Sequence, residues 1–165
     1  MPLLIIQMIK LFPHVGKTVI VQDDMCDFNG HMNVLHIKDV FQQGWEWTTS
    51  AFGLNDEYFN DGFSTFTLED NYRFQKEFLL GQSIFPRFRL HNLNKKLFHI
   101  VGGLFDEAEN LCAIYETIEG HIDMNIRKIV PFREDKFQTM LEINKIHAAT
   151  GIIPFDMRLK IKDLT

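Results

Sequence analysis

The stretch "VLHIKDVFQQGWEWTTSAFG", residues 34–53, decides the fold of this chain. Its small and apolar side chains recur at three- and four-residue steps, which is typical of one buried face of a helix. Those positions are Ile37, Val40, Phe41, Gly44, Thr48, Ala51 and Phe52. Gly44 lowers helix propensity within that face, and a close approach to a sheet would explain it. Gly53 then suits the cap that ends the helix.

Around this helix the chain has the patterns of strands. Residues 17–24, "KTVIVQDD", are β-branched and predict a strand before the helix. After it, "STFTLED" alternates, with Phe66 and Leu68 on one face and Glu69 on the other. The segments "NYRFQKEF", "IFPRFRLHNL", "LFHIVGGLFD" and "LCAIYETIEGHIDM" follow, joined by short turns, and favour an antiparallel meander.

Two further features complete the predicted architecture. The pair Gly102 and Gly103 predicts a β-bulge, and residues 134–150 predict a second helix that ends at Gly151. One long helix among four or five strands cannot be buried in a bundle. We therefore expect an α+β fold, in which the helix lies on the concave face of a curved antiparallel β-sheet.

Composition narrows the class of protein. The 165 residues, 45% hydrophobic and 24% charged, fit one globular domain. A net charge of −5 argues against a nucleic-acid partner. The two cysteines fit no metal or disulfide spacing and are typical of a cytoplasmic protein. Residues 1–14 predict an extra strand or short helix, because their apolar run is too short for a membrane span and lacks the features of a signal peptide.

The motif "DFNGHMN", residues 27–33, precedes the long helix and has two interpretations. Asp, Asn and Gly form turns, Asn33 suits an N-cap, and His31 can simply bind a backbone carbonyl. Alternatively, free N–H groups at the helix start could polarise a carbonyl, with Asp27 beside them as general base or nucleophile. A metal site is not expected, since His31 and His36 do not share a helix face.

The same motif carries a resemblance to a known family. Together with "VIVQDDMC" before it, and with "FTLEDNYRFQKEFLLGQSI", "KKLFHIVGGLFDEAENLCAIYETIEGHID" and "RKIVPF" after the helix, it resembles the hot-dog-fold acyl-CoA thioesterases of the 4-hydroxybenzoyl-CoA thioesterase type. The details are most similar to the branch of betainyl-CoA thioesterases. The resemblance covers about residues 17–132. It implies a single hot-dog domain over residues 1–165, with an extension at each end.

The resemblance also implies roles for the motif. Asp27 would attack the thioester or activate water, while His31 and Asn33 would shape the catalytic site. Gly30 and the backbone N–H of Val34 would contribute to substrate binding, the latter by polarising the thioester carbonyl. The family needs no cofactor or metal, since the coenzyme A thioester is itself the substrate. Its members work as homo-oligomers, dimers or tetramers, with sites at the dimer interface.

Further positions follow from the same resemblance. His36 occupies a substrate-binding position where the family usually has tyrosine. Glu69 would face the site across the dimer, or else it is a solvated carboxylate on the strand. Trp45 and Trp47 are expected in core or interface packing, or else in an aromatic cage for a cationic acyl group. The candidates for binding coenzyme A phosphates are Arg73, Lys76, Lys95, Lys96, Arg127 and Lys128. The alternative function is a hot-dog protein that binds an acyl ligand or partner without hydrolysis.

Overall fold

The computed structural model describes residues 8–162. The strands are β1 (His14–Val15), β2 (Val19–Ile20), β3 (Phe63–Phe74), β4 (Ser83–Leu93), β5 (Leu97–Phe105), β6 (Leu111–Asp123) and β7 (Lys128–Ile129). The helices are α1 (Val34–Phe41), α2 (Gln43–Ala51), α3 (Asp56–Asn60) and α4 (Glu134–Ala148), and a 3₁₀ turn spans Asp23–Met25. The element predicted for residues 1–14 lies partly outside the described residues, but residues 8–10 are helical.

The sheet is antiparallel, with the strand order β1-β4-β5-β6-β3. β2 also pairs with β4, and β7 pairs with β6. The helices α1 and α2 pack against the curved sheet and enclose the main hydrophobic core. The predicted α+β class is therefore confirmed. In residues 8–162 no helix is both long enough and apolar enough to cross a membrane.

The predicted central helix is two consecutive helices. They meet at Gln42, whose N–H is shared between the carbonyls of Lys38 and Asp39 at 3.2 and 3.1 Å, so the last turn of α1 is tightened. The predicted apolar face is confirmed, since Phe41 and Phe52 are almost completely buried. Gly53 follows α2 with a φ of 69°, the left-handed conformation expected after a helix end.

Glycines allow the helices to approach the sheet. A Cβ on Gly44 would lie 2.9 Å from two ring carbons of Phe88 in β4, which confirms the predicted close approach. A Cβ on Gly102 would lie 3.1 Å from Phe41 and from Phe88. The predicted bulge at Gly102 and Gly103 is wrong, because both keep their register with β6 and the irregularity follows Leu104. Gly102 is required by packing and not by a bulge.

The strand predicted for residues 17–24 is also shorter than expected. Only Val19 and Ile20 pair, because the chain then enters the 3₁₀ turn that leads to the motif. Two segments predicted after the helix form one strand instead, the twelve-residue β3. Among the described residues β3 pairs on one side only, with β6, so it forms an edge of the sheet.

The convex face of the sheet is covered by both ends of the described chain. Phe12 from the N-terminal segment and Ile153 from the C-terminal segment pack with Phe105 in a second hydrophobic cluster. The buried guanidinium of Arg89 donates hydrogen bonds to the carbonyls of Leu11 (3.1 Å) and Gly151 (2.9 Å). The two segments are thereby fastened to the sheet and to each other.

Candidate active site

The motif at residues 27–33 forms a tight turn that ends at the start of α1. The N–H of Gly30 donates to the carbonyl of Asp27 at 2.9 Å, and Gly30 has a φ of 80° that a side chain would disfavour. The side chain of Asp27 accepts a hydrogen bond from the N–H of Asn29 at 2.9 Å. Phe28, at the tip of the turn, is 98% exposed. The turn therefore fixes Asp27 through its own backbone.

Asn33 connects this turn to the helix. Its Oδ1 accepts from the N–H of Leu35 at 2.9 Å, which confirms it as the N-cap of α1. Its Nδ2 lies 3.5 Å from Oδ2 of Asp27, at the outer limit of a hydrogen bond. The N–H of Val34 has no hydrogen-bond partner among residues 8–162, and Val34 is exposed. One amide thus orients both the helix start and the carboxylate, so the two interpretations of the motif are compatible.

His31 lies between two carboxylates. Its Nε2 is 3.7 Å from Oδ2 of Asp27, and its Nδ1 is 3.0 Å from Oε2 of Glu77. Glu77 follows β3, 46 residues away in the chain, and sequence reasoning missed it. No local pattern could have identified Glu77, because the pairing depends on the bridge between His31 and Leu79 that brings the two loops together.

A groove of about 340 Å³ opens beside the motif, between α1 and the end of β3. Its lining residues are His31, Met32, Val34, Ile37, Phe74, Gln75, Lys76 and Glu77. The groove has apolar walls and a few polar groups, as ligand sites commonly have. Val34 at the helix start lines the groove, whereas Asp27 and Asn33 lie beside it and are not among its lining residues.

Two predicted substrate-binding residues lie elsewhere. Glu69 pairs with Ile118 after a register shift between Thr67 and Glu69, and its carboxylate lies 3.9 Å from Lys162 of the C-terminal segment. The register shift places Glu69 opposite Ile118, so within one chain it does not line the groove, and its predicted role across the dimer stays a prediction. His36 is on α1, where its Nδ1 is 3.8 Å from Oδ2 of Asp39, and it does not line the groove.

Of the six basic candidates, Lys76 alone lines the groove. Its Nζ donates to Asp106 at 2.6 Å, and its position leaves it half exposed. Arg73 is bound to the buried Glu116 on the convex face, at 2.7 Å. Arg127 lies over the ring of Phe66, far along the sheet from the motif. The remaining basic candidates are Lys95, Lys96 and Lys128, none of which lines this groove.

The two tryptophans differ in environment. Trp47 is buried between the stacked imidazoles of His14 (4.7 Å) and His147 (5.5 Å), so it packs in the core as expected. Trp45 is 47% exposed and stacks on Phe59. Within residues 8–162 no group of three His, Cys, Asp or Glu side chains is arranged to hold a metal ion.

Solved structures of other proteins identify the fold of this chain. A hypothetical protein of Staphylococcus aureus, determined in complex with CoA, has a TM-score of 0.78 and 20% identity, over 92% of this chain and 96% of that chain. A 1,4-dihydroxy-2-naphthoyl-CoA thioesterase from Synechocystis has a TM-score of 0.68 and 14% identity, over 79% and 97% of the two chains. At such identities these likenesses establish the fold alone, and it is the hot-dog fold that the resemblance predicted.

The family follows from the sequence itself. The model of the Thioesterase-like superfamily matches residues 20–142, so the chain belongs to that superfamily, and the predicted enzyme class is confirmed at this level. An L-carnitine dehydrogenase/betainyl-CoA thioesterase from Rhizobium meliloti is 26% identical over 123 residues, which are 74% of this chain and 25% of that protein. Its counterpart from Rhizobium sp is 25% identical over the same shares. The chain spans about a quarter of the length of these curated relatives.

Proposed function

We propose that this chain hydrolyses acyl-CoA thioesters with Asp27 as the catalytic carboxylate. The observation that carries the proposal is the double role of Asn33, which caps α1 through Oδ1 and contacts the Asp27 carboxylate through Nδ2. The contact from Asn33 to Asp27 supports a role for this acid beside the start of α1, where the exposed residue Val34 lies at the positive end of the helix. Such an end is suited to an oxygen that gains negative charge during acyl transfer.

The chemistry requires little else. Asp27 takes a proton from a water molecule whose oxygen attacks the thioester carbon, or attacks that carbon itself to form an acyl-enzyme anhydride that water then cleaves. In either case the carbon–sulfur bond breaks, and the thiolate of coenzyme A leaves and is protonated. The N–H groups at the start of α1 stabilise the oxyanion, and no cofactor is needed. His31 orients Asp27, and Glu77 orients His31.

The groove beside the motif is the proposed binding site of the thioester. Lys76 is its only basic residue, and we assign it to coenzyme A recognition. The first substrate to assay is betainyl-CoA, because the curated relatives carry betainyl-CoA thioesterase in their names. The free thiols of Cys26 and Cys112 support a cytoplasmic location.

We further propose that the chain forms one domain and acts as a homodimer paired along β3. A twelve-residue edge strand with unpaired backbone groups is a natural surface for a second strand. Its exposed apolar side chains, Phe66, Leu68 and Phe74, would be covered in that pairing. Sedimentation analysis tests it: a dimer that a Leu68→Lys substitution dissociates would support the proposal, and a monomeric wild type would contradict it.

The function is tested by thiol release from a panel of acyl-CoAs. Asp27→Asn keeps the shape of the side chain and removes its basicity, so hydrolysis should fall by about a hundredfold or more. Asp24→Asn, an exposed acid in the same loop, serves as the matched control and should leave the rate unchanged. Full activity in Asp27→Asn would refute the mechanism. Saturable binding without hydrolysis of any acyl-CoA would instead indicate a binding protein.

A further inference from the structure

A second, smaller cavity lies below the junction of α1 and α2. Its volume is about 40 Å³, slightly more than one water molecule occupies in the liquid. The exposed residues Gln42, Trp45 and Thr67 line it on the side of β3, and its deep end is formed by buried residues of β5 and β6. The proposed mechanism uses none of these residues. The cavity opens along the same edge strand as the catalytic groove.

A buried acid lines this cavity. Glu119 is 5% exposed, and its Oε1 accepts hydrogen bonds from the hydroxyls of Thr67 (2.5 Å) and Thr117 (3.3 Å). Among the described residues no Lys, Arg or His forms an ion pair with Glu119, and no basic residue lines the cavity. Burial raises the pKa of Glu119, nearby Asp70 adds to the rise, and the hydroxyl groups offset it only in part. Within residues 8–162, the carboxyl group of Glu119 therefore has no counter-ion.

Aromatic rings form much of the remaining wall. Phe41, Trp45, Phe98 and Tyr115 line the cavity around Glu119. The hydroxyl of Tyr115 donates to Oδ1 of Asp70 at 3.0 Å, which fixes that ring. Aromatic faces attract cations, most strongly where water is excluded. The hydroxyls of Thr67 and Thr117 already donate to Glu119, so an ionised Glu119 leaves the cavity with acceptor groups that suit a positive charge.

We propose that this cavity binds the positively charged end of a short acyl group, and that Glu119 is the residue that determines this specificity. The inference rests on the proposed thioesterase function. On binding, the carboxyl group of Glu119 releases its proton to solvent and pairs with the cation. Trp45 is half exposed and lines the cavity, so an outward movement of its ring would enlarge the cavity for a group as large as trimethylammonium.

The start of α1 and the cavity are separated along the helix. Val34 lines the groove at one end of α1 and Phe41 lines the cavity at the other, so about 10 Å of helix lies between these two residues. Both face β3, the groove at Phe74 and the cavity at Thr67. Antiparallel pairing of two copies along β3 would bring the groove of one copy toward the cavity of the other. The acyl group that reaches Glu119 would then belong to a thioester bound by the partner.

The decisive experiment compares substrates that differ only in charge. Betainyl-CoA is matched with 3,3-dimethylbutyryl-CoA, and β-alanyl-CoA is matched with butyryl-CoA. For wild type, kcat/KM should favour the cationic member of at least one pair by about ten- to thirtyfold. Glu119→Gln keeps the shape and one acceptor, and should reduce that ratio to about two. Glu46→Gln, an exposed acid on α2, is the matched control and should preserve the wild-type ratio.

The pH dependence gives a second readout that does not need a variant. Because ionisation of Glu119 favours the cation, the wild-type ratio should rise as the pH increases through the raised pKa of Glu119. Asp70 is the other acid that raises the pKa of Glu119. The lining residues from the helix side of the cavity have no ionisable group, and Tyr115 of β6 is the ionisable aromatic residue in the lining. A ratio that is flat in pH, or a cation preference that Glu119→Gln retains, would overturn the inference.

Failure of the inference and failure of the proposed function can be distinguished. Hydrolysis of the neutral substrates without any cation preference refutes the role of Glu119 and leaves the thioesterase proposal intact. If no substrate is hydrolysed, the inference about Glu119 can still be tested by calorimetry, which measures the affinity of wild type for each member of the same ligand pairs. Tighter binding of the cationic ligand, with proton release that Glu119→Gln lacks, supports the inference, and equal affinities refute it.

Discussion

Asn33 performs two tasks with two different atoms, and substitutions can separate them. Oδ1 caps α1 through the N–H of Leu35, and Nδ2 contacts Asp27. Asn33→Ser keeps an oxygen that can cap the helix, but its shorter side chain cannot donate a hydrogen bond to Asp27. Asn33→Ala removes both contacts. Asn33→Asp keeps the cap but adds a negative charge beside Asp27.

The geometry gives the expected magnitudes. Loss of an N-cap costs about 1 kcal/mol of the free energy of unfolding, so Asn33→Ala should lose that amount and Asn33→Ser less than about 0.5 kcal/mol. A hydrogen bond to a charged group contributes about 1.5–3 kcal/mol, but this one is 3.5 Å long, so about 1 kcal/mol is realistic. That loss corresponds to about a fivefold lower kcat/KM in both variants. Asn33→Asp should be stable, with its activity profile displaced to higher pH by repulsion between the carboxylates.

Urea unfolding and thiol release, measured on the same preparations, provide the assay. Asn29→Ser is the matched control, because Asn29 contacts Asp27 through its backbone N–H and its side chain is exposed. The reasoning is refuted if Asn33→Ser keeps wild-type activity, since Nδ2 would then have no role. It is equally refuted if Asn33→Ser and Asn33→Ala are destabilised to the same extent.

Three other substitutions test the surrounding structure. Gly44→Ala should lower the free energy of unfolding by about 1–2 kcal/mol, because its Cβ would meet the buried ring of Phe88 and this strain exceeds the gain of about 1 kcal/mol in helix propensity. Burial opposes ionisation of Glu116, but hydrogen bonds from His99 and from two N–H groups of the C-terminal segment lower its pKa. Wild type should therefore lose stability as the pH falls through that lowered pKa. Glu116→Gln should release the C-terminal segment at neutral pH, which can be measured as faster proteolysis of this segment. Burial, more than nearby positive charge, lowers the pKa of His147 to about 4, so wild type should lose roughly 3 kcal/mol between about pH 6.5 and pH 4, and His147→Gln should lose less.

Each of these expectations has a contradicting result. An unchanged or raised free energy of unfolding in Gly44→Ala would show that the helix and sheet can separate at no cost. A C-terminal segment that stays protected in Glu116→Gln would show that its apolar contacts suffice to hold it. Identical pH dependence in wild type and His147→Gln would show that His147 is not the group whose protonation matters. A Thr49→Ala substitution on α2 serves as a control for the packing and pH experiments.

The sequence predicted the parts of the fold that depend on local periodicity. The apolar face of residues 34–53 identified the buried side of the helices, and Gly44 indicated the contact with Phe88. The long strand-forming segments that became β4, β5 and β6, joined by short polar turns, identified the meander. These features are predictable because each follows from which side chains must be buried within a single element.

The parts that could not be predicted depend on interactions between elements. The bulge at Leu68 has no glycine or proline to indicate it, and it changes the face of β3 on which Glu69 lies. The contact of Glu77 with His31 joins residues 46 apart. Asp27 and Asn33 could be identified because they are neighbours in the sequence, and the turn that joins them is local. The orientation of Glu69 depends on strand register, so it could not be predicted from the sequence alone.

The sheet has two faces and two edges, and the described chain covers all but one of them. Helices cover the concave face, and the terminal segments, fastened by Arg89 and Glu116, cover the convex face. The short strands β1 and β2 cover the edge at β4. Within residues 8–162, the edge that stays open is β3, and both the groove beside residues 27–33 and the cavity of Glu119 are lined by residues of β3. A second copy paired there would use the open edge and bring the groove of one chain toward the cavity of the other. We therefore expect that a substitution that prevents dimer formation also abolishes catalysis.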